Sequence, residues 1–260
     1  MRSTADECES RPTTWGEALT VATHMLARAG VSSSAQLDAV VLLGHVVGAR
    51  RAALLAYPER ALTHEQWMAY LSLVRRRMDA EPVAYLTGHR EFMALDFLTD
   101  RRALIPRPET EQLVEAALDA ACARIERDER PIVADIGTGT GAIAIALTVH
   151  EPRLVRIYAT DISTDALALA DENVRRHHVE DRVLLLHGDL ADPLPEPVDL
   201  LVANLPYVSS DQADTLARDV RAYEPGLALY GEAGGLGHIA RLLRGAPARL
   251  RPGAEMFLEI

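Results

Sequence analysis

Cysteine is nearly absent: Cys8 and Cys122 are the only two in 260 residues, too few for a disulfide framework and without zinc-type spacing. A reducing, cytoplasmic setting is expected. No uninterrupted apolar run approaches the ~20 residues that a membrane-spanning helix needs. The start, Met1 to Pro12, is polar and acidic and lacks the apolar centre of a signal peptide, so a frayed N-terminus is expected. An excess of positive charge is missing too. The formal net charge of −11 argues against a broad, sequence-independent grip on nucleic acid. The run Arg75-Arg76-Arg77 reads as a solvated helix end. His177-His178 has no partner ligands at zinc spacing and reads as surface; no metal is expected. Internal repeats are also lacking.

What remains is an ordinary balance, 48% hydrophobic and 25% charged, enough for one sizeable core and a smaller satellite domain. Residues 1–82 read as a small helical bundle, with Trp15, Leu19, Ala22, Met25 and Leu26 on one helix face. Thr14 with Glu17, Ser33 with Gln36 and Thr63 with Gln66 have capping-box spacing, and Gly30 and Gly48 sit where helix ends want a left-handed residue. Glu81-Pro82 closes the bundle. Residues 83–104 read as a hairpin connector, since Glu91 to Leu104 alternates around Thr99-Asp100. From 105 to 260 the expectation is a helix through Leu113, Val114 and Leu118, then strands alternating with helices. The strands are placed near Ile132–Asp135, Val155–Thr160, Val183–His187, Leu200–Ala203 and Met256–Ile260. Helices are placed after Gly141, after Ser163 and over Leu236–Leu243. That pattern implies an α/β fold with a parallel sheet covered on both faces and ligands at the carboxyl ends of the strands.

The polar candidates fall at those ends. Gly137-Thr138-Gly139-Thr140-Gly141 follows one strand and opens a helix, where backbone can approach a ligand closely. With Ala142 the loop reads G-x-G-x-x-A, and Asp161, followed by Ile162, lies 20 residues after Gly141. This is the spacing of an acid that binds ribose hydroxyls. The pair fits either NAD or S-adenosylmethionine, because both carry an adenosine. Asp189 can accept from an adenine amino group, with Leu190 as an apolar face, or can cap a turn. No acid/base for hydride transfer stands out. Asn204-Leu205-Pro206-Tyr207 follows the apolar run 198–203; an Asn and a Pro-aromatic corner at a strand end can hold a planar NH2 group and pack on its face.

Taken in order, Tyr85-Leu86-Thr87-Gly88-His89-Arg90-Glu91-Phe92, Ile105-Pro106-Arg107-Pro108-Glu109-Thr110-Glu111, the glycine loop, Asn204-Leu205-Pro206-Tyr207 and Val220-Arg221-Ala222-Tyr223-Glu224-Pro225 resemble peptide-chain release factor glutamine methyltransferases of the HemK/PrmC type. The resemblance runs from about Trp15 to Ile260. It implies a class I S-adenosylmethionine-dependent, Rossmann-like methyltransferase domain behind a helical substrate-docking domain. The implied reaction is methylation of the glutamine amide in the Gly-Gly-Gln motif of class I release factors, with S-adenosyl-L-homocysteine as product. It also implies a monomer with no nucleic-acid or membrane partner. Gly137 to Gly141, Asp161, Ile162, Asp189, Leu190, Phe92 and Asn204 would hold the donor; Asn204 to Tyr207 would bind the glutamine and carry the reaction. Arg107 to Thr110 would shape the donor pocket's wall.

The chain departs from that family at two places. Leu205 stands where the family has the first proline of Asn-Pro-Pro-Tyr, a corner that also resembles ribosomal RNA adenine dimethyltransferases. After Met256 to Ile260 the family continues with a helix and an antiparallel strand pair, so the C-terminal antiparallel pair is expected to be missing and an edge strand left uncovered. An RNA adenine, a ribosomal-protein glutamine or a small-molecule amine as acceptor, or a non-catalytic donor-binding relative, stays open at this point.

Overall fold

The computed structural model describes residues 11–260; the expected frayed start and Cys8 lie outside the described residues. The chain divides into two compact units, one running to Thr87 and one spanning Gly88–Ile260.

In the first unit, α1 (Trp15–Ala29), α2 (Ala35–Val47), α3 (Arg51–Ala56), α4 (His64–Met78) and α5 (Val83–Thr87) surround one core. Helix α1 buries Trp15, Ala18, Ala22 and Leu26, the one-face spacing of a helix. Thr14 with Glu17 and Thr63 with Gln66 form reciprocal capping boxes, and Gly30 and Gly48 close α1 and α2 at φ of 64° and 66°. The third expected box does not form. Ser32 Oγ accepts the Ser34 N–H, so α2 starts one residue late with Ser34 as a cap whose side chain makes no capping bond. Two further expectations fail. Glu81-Pro82 does not end the unit, because α5 follows and Leu86 joins the same core. Arg77 is no solvated helix end: it is buried, and its guanidinium bonds Asp38, Val31 O and Glu81 O. A single arginine thus ties α4 to α2 and to the chain on either side.

In the second unit, β1 (His89–Phe92) and β2 (Leu95–Leu98) form an antiparallel hairpin. Its turn is Met93-Ala94, both at positive φ, rather than Thr99-Asp100. A two-residue turn of this kind usually recruits Asn-Gly. Here tertiary bonds replace that preference: Glu111 accepts the Met93 N–H at 2.8 Å and His150 Nε2 meets Met93 O at 2.9 Å. Buried Phe92 and Phe97 pack edge to face at 6.1 Å. The hairpin read as a connector is therefore an integral part of the second unit.

There follow α6 (Thr110–Ile125), β3 (Val133–Ile136), α7 (Ala142–His150), β4 (Ile157–Asp161), α8 (Thr164–Arg176), β5 (Val183–His187), β6 (Val198–Asn204), α9 (Arg218–Tyr223), α10 (Gly226–Leu229), α11 (Gly237–Gly245) and β7 (Leu250–Glu259). The strands form one parallel sheet in the order β5-β4-β3-β6-β7. One apolar cluster joins Val133, Ile157, Leu200 and Val202 to α6 and α7; another joins Ala134, Ile136, Leu201 and Ala203 to Ile239 and Leu242 of α11. Burial on both faces is why 200–203 reads as an unbroken apolar run. His177 packs on Phe97 at 5.0 Å and reaches Asp96 O, while His178 is exposed. β7 begins earlier than the sequence suggests and shifts register near Val198. Among the described residues no strand pairs with its outer edge.

The sheet reverses its winding between β3 and β6. Ligands of open parallel sheets bind beyond the carboxyl ends of the strands at that reversal. The glycine loop leaves β3 there, and Asn204 ends β6 beside it.

Candidate active site

The loop's middle and last glycines both have left-handed φ, 55° and 81°, and the last is crowded as well. Gly139 has φ of 55° with its nearest would-be Cβ contact, Ala103 Cβ, at 3.9 Å, so conformation sets its identity. A Cβ on Gly141 would stand 3.0 Å from Ile145 Cδ1 and 3.4 Å from Ala170 Cβ. Gly141 thus lets α7 and α8 approach closely; it does not line the cavity described below.

Two acids hold the loop. Asp135 in β3 is fully buried; its Oδ2 accepts the Thr138 hydroxyl at 2.6 Å and the Ala144 N–H at 3.2 Å, and its Oδ1 has no hydrogen-bond partner. Burial pushes its carboxyl up to about 7, with those two bonds opposing and the Asp161 charge adding. Asp161, at the end of β4, accepts the Gly139 N–H on Oδ2 and the Ser163 N–H on Oδ1, each at 2.9 Å. Burial raises its carboxyl and the main-chain N–H bonds pull it back. Buried Asn173 of α8 fixes the far side. Its Oδ1 accepts the Leu98 N–H at 2.8 Å, and its Nδ2 donates to Leu98 O at 3.1 Å and Thr140 O at 2.9 Å.

The glycine loop and Asp161 line a cavity of about 340 Å³, within the roughly 300–1,000 Å³ of small-molecule sites; Asp135 and Asn173 support it from behind. Of the residues expected at the donor, Phe92, Gly137, Thr138, Gly139, Thr140, Asp161, Ile162, Asp189, Leu190 and Asn204 all line it, as do Leu205 and Pro206. Tyr207 does not. It lines a second cavity of about 250 Å³, together with Asn204, Leu205, Pro206, Arg107, Val220 and Glu259. Asn204-Leu205-Pro206 is thus a partition shared by both cavities. Burial raises the Tyr207 phenol above its ordinary range, and the nearby Glu259 charge adds to this. Glu259 is the register partner of Asn204 across β6 and β7.

Asn204 Nδ2 donates to the Thr110 hydroxyl oxygen at 3.0 Å. The loop before Thr110 is anchored by Glu224, whose side chain is 1% exposed and accepts the Ile105 N–H at 3.2 Å and Arg107 Nη2 at 2.5 Å. Asp189 is not an unengaged acid: Arg241 of α11 forms an ion pair with it. Sequence reasoning missed Arg241 and Asn173. Asn173 was visible as the one polar residue on the buried stripe Ala166, Leu169, Ala170, Asn173, Val174; Arg241 carried no comparable signal. Among the described residues no group of three or more His, Cys, Asp or Glu is placed to hold a metal ion, and no helix is long and apolar enough to cross a membrane.

A five-stranded parallel sheet wound in this order, with a glycine loop leaving β3 and an acid ending β4, has the class I S-adenosylmethionine-dependent methyltransferase fold. Residues 17–88 match the PrmC N-terminal domain and residues 114–221 the methyltransferase small domain. The chain is 44% identical over 245 residues to the release factor glutamine methyltransferase of Moorella thermoacetica, covering 94% of this chain and 84% of that one. To the enzyme of the same name from Rhodopirellula baltica it is 41% identical over 231 residues, covering 88% and 78%. To that from Chlorobaculum tepidum it is 38% identical over 231 residues, covering 86% and 78%. The chain belongs to the release factor glutamine methyltransferase family.

Proposed function

We propose that this chain moves a methyl group from S-adenosylmethionine to the side-chain amide nitrogen of the Gly-Gly-Gln glutamine in class I release factors. The observation that carries this reading is the partition: Asn204-Leu205-Pro206 borders both the cavity built on the glycine loop and the cavity that holds Tyr207. A donor on one side and a planar amide on the other meet at Asn204.

The residues of the first cavity suit this donor. Asp161 would accept from the ribose hydroxyls through lone pairs its two main-chain bonds leave open. The glycine loop would lie against the donor's methionine part, with Phe92, Ile162 and Leu190 as apolar walls. Asp189 and Arg241 together would face the adenine. S-adenosylmethionine supplies an electrophilic methyl group when bound.

The acceptor poses the harder problem, because an amide nitrogen shares its lone pair with its carbonyl. Asn204 Oδ1 and the Leu205 carbonyl would accept its two N–H bonds, shifting electron density onto nitrogen and aiming it at the donor. Tyr207 would pack on the amide. Nitrogen would gain the methyl as the sulfur–methyl bond breaks, its proton would pass to solvent, and S-adenosyl-L-homocysteine would leave. Orientation is the main catalytic contribution here; well-placed reactants gain roughly 7 to 11 kcal/mol. The helical first unit would dock the protein substrate. Translation sets the compartment this reading implies, the cytoplasm.

The test is transfer of labelled methyl to a recombinant class I release factor beside the same factor with its Gly-Gly-Gln glutamine replaced. Label on the intact factor alone is expected. Equal label on both, or label on neither despite donor binding, overturns the assignment.

A further inference from the structure

We propose that Thr110 is a positioning residue that sets the side-chain amide of Asn204, presenting its oxygen rather than its nitrogen to the acceptor. The inference rests on the reading of Asn204 as the group that holds the glutamine amide.

An asparagine amide is nearly symmetric in shape and opposite in chemistry at its two ends. The acceptor NH2 offers only hydrogens to Asn204. A side chain turned with Nδ2 toward it would set donor against donor and leave the lone pair unaimed. The productive orientation leaves Nδ2 facing the protein, where it needs an acceptor.

Thr110 Oγ1 is that acceptor, at 3.0 Å. Thr110 is the first residue of α6 and is 5% exposed, so water is poorly placed to substitute for its hydroxyl. Its backbone is fixed on the N-terminal side. The Thr110 N–H donates to Arg107 O at 3.2 Å, Pro106 and Pro108 limit φ in the preceding loop, and buried Glu224 holds Ile105 and Arg107. The hydroxyl is therefore in place before any acceptor arrives, and Asn204 need not be reoriented during binding.

Thr110→Val keeps the shape and removes the hydroxyl; Thr110→Ser keeps the hydroxyl and removes a methyl. In Thr110→Val, kcat for release factor methylation is expected to fall on the order of tenfold to a hundredfold, as for a misaligned reactant. Thr110→Ser is expected to recover most of the loss. Unchanged kcat in the valine variant, or equal losses in both, overturns the proposal. A second readout does not depend on activity. The Asn204 side-chain NH2 resonance, assigned by its disappearance in Asn204→Ala, is expected to exchange its hydrogens with water faster in Thr110→Val than in wild type or Thr110→Ser. Equal exchange in all three overturns the proposal. Faster exchange in the valine variant of a protein that methylates no release factor would uphold the contact and reject the assigned substrate.

Discussion

Gly139 donates its main-chain N–H to Asp161 Oδ2 at 2.9 Å, so the middle of the glycine loop and the acid ending the neighbouring strand are one unit. The bond orients the carboxylate and fixes the loop at the same time. Anything that removes the carboxylate disturbs both the loop and the strand end that line the cavity.

Asp161→Ala is therefore expected to weaken donor binding by about 1.5 to 3 kcal/mol, the range for hydrogen bonds to a charged group. Calorimetric titration with S-adenosylmethionine checks it. An unchanged dissociation constant removes Asp161 from the donor site.

Asp135 makes a pH-dependent contribution of the opposite sign to that of most carboxylates. Its carboxyl is pushed up to about 7 in the folded chain, chiefly by burial, whereas an unfolded aspartate titrates near 3.9. A carboxyl raised on folding stabilises the fold while protonated, below its unfolded value, and that contribution is lost as pH rises through about 7. Asp135→Asn does not titrate. The melting temperature of wild type minus that of the variant is expected to fall from pH 5 to about pH 7 and to level off by pH 8. A flat difference shows that Asp135 does not titrate in that range.

The sheet, the glycine loop and the corner at Asn204 were legible in sequence because each has a local signature: apolar runs of strand length, glycines at a strand end, a polar residue closing an apolar run. What was not legible was made by distant contacts. The Met93-Ala94 turn has no turn-forming residue and is held by Glu111 and His150. Arg77 looked solvated because two of its partners, Asp38 and Val31, lie more than 35 residues away. Asp189 looked available because Arg241 is far along the chain. Pairing of charges across a fold leaves no periodic trace.

Asn173 joins the hairpin to the glycine loop through three hydrogen bonds from one buried amide. Removing it strands the Leu98 N–H and carbonyl and the Thr140 carbonyl, and each buried polar group left unpaired costs about 1–3 kcal/mol. Asn173→Ala is expected to lower stability on the order of 3 kcal/mol, read as a shift in the urea midpoint. A loss below about 1 kcal/mol would mean that water enters and replaces the amide.

Asn204→Ala separates orientation from binding. The residue lines both cavities, and its amide is hydrogen-bonded to Thr110. Donor affinity is expected to persist while methyl transfer is lost. Transfer at the wild-type rate would reject Asn204 as the group that holds the acceptor.

Leu205 stands where the resemblance leads one to expect a proline, and the fold supplies a different source of rigidity. The residue is 4% exposed, packed with Ile136, Leu201 and Ala203, and its Cδ2 lies 3.1 Å from where a Cβ on Gly137 would stand. Packing holds the corner against the glycine loop, where proline would instead restrict φ. Leu205→Ala is expected to cost about 2 to 5 kcal/mol, as buried leucine truncations do, and to slow transfer because the partition loses its support. Leu205→Pro keeps the backbone carbonyl proposed to accept from the glutamine amide and supplies a fixed φ, so it is expected to retain transfer while melting at a lower temperature than wild type. Urea unfolding and methyl transfer measured on both variants decide the point. If Leu205→Ala transfers as well as Leu205→Pro, the corner is held by something other than residue 205.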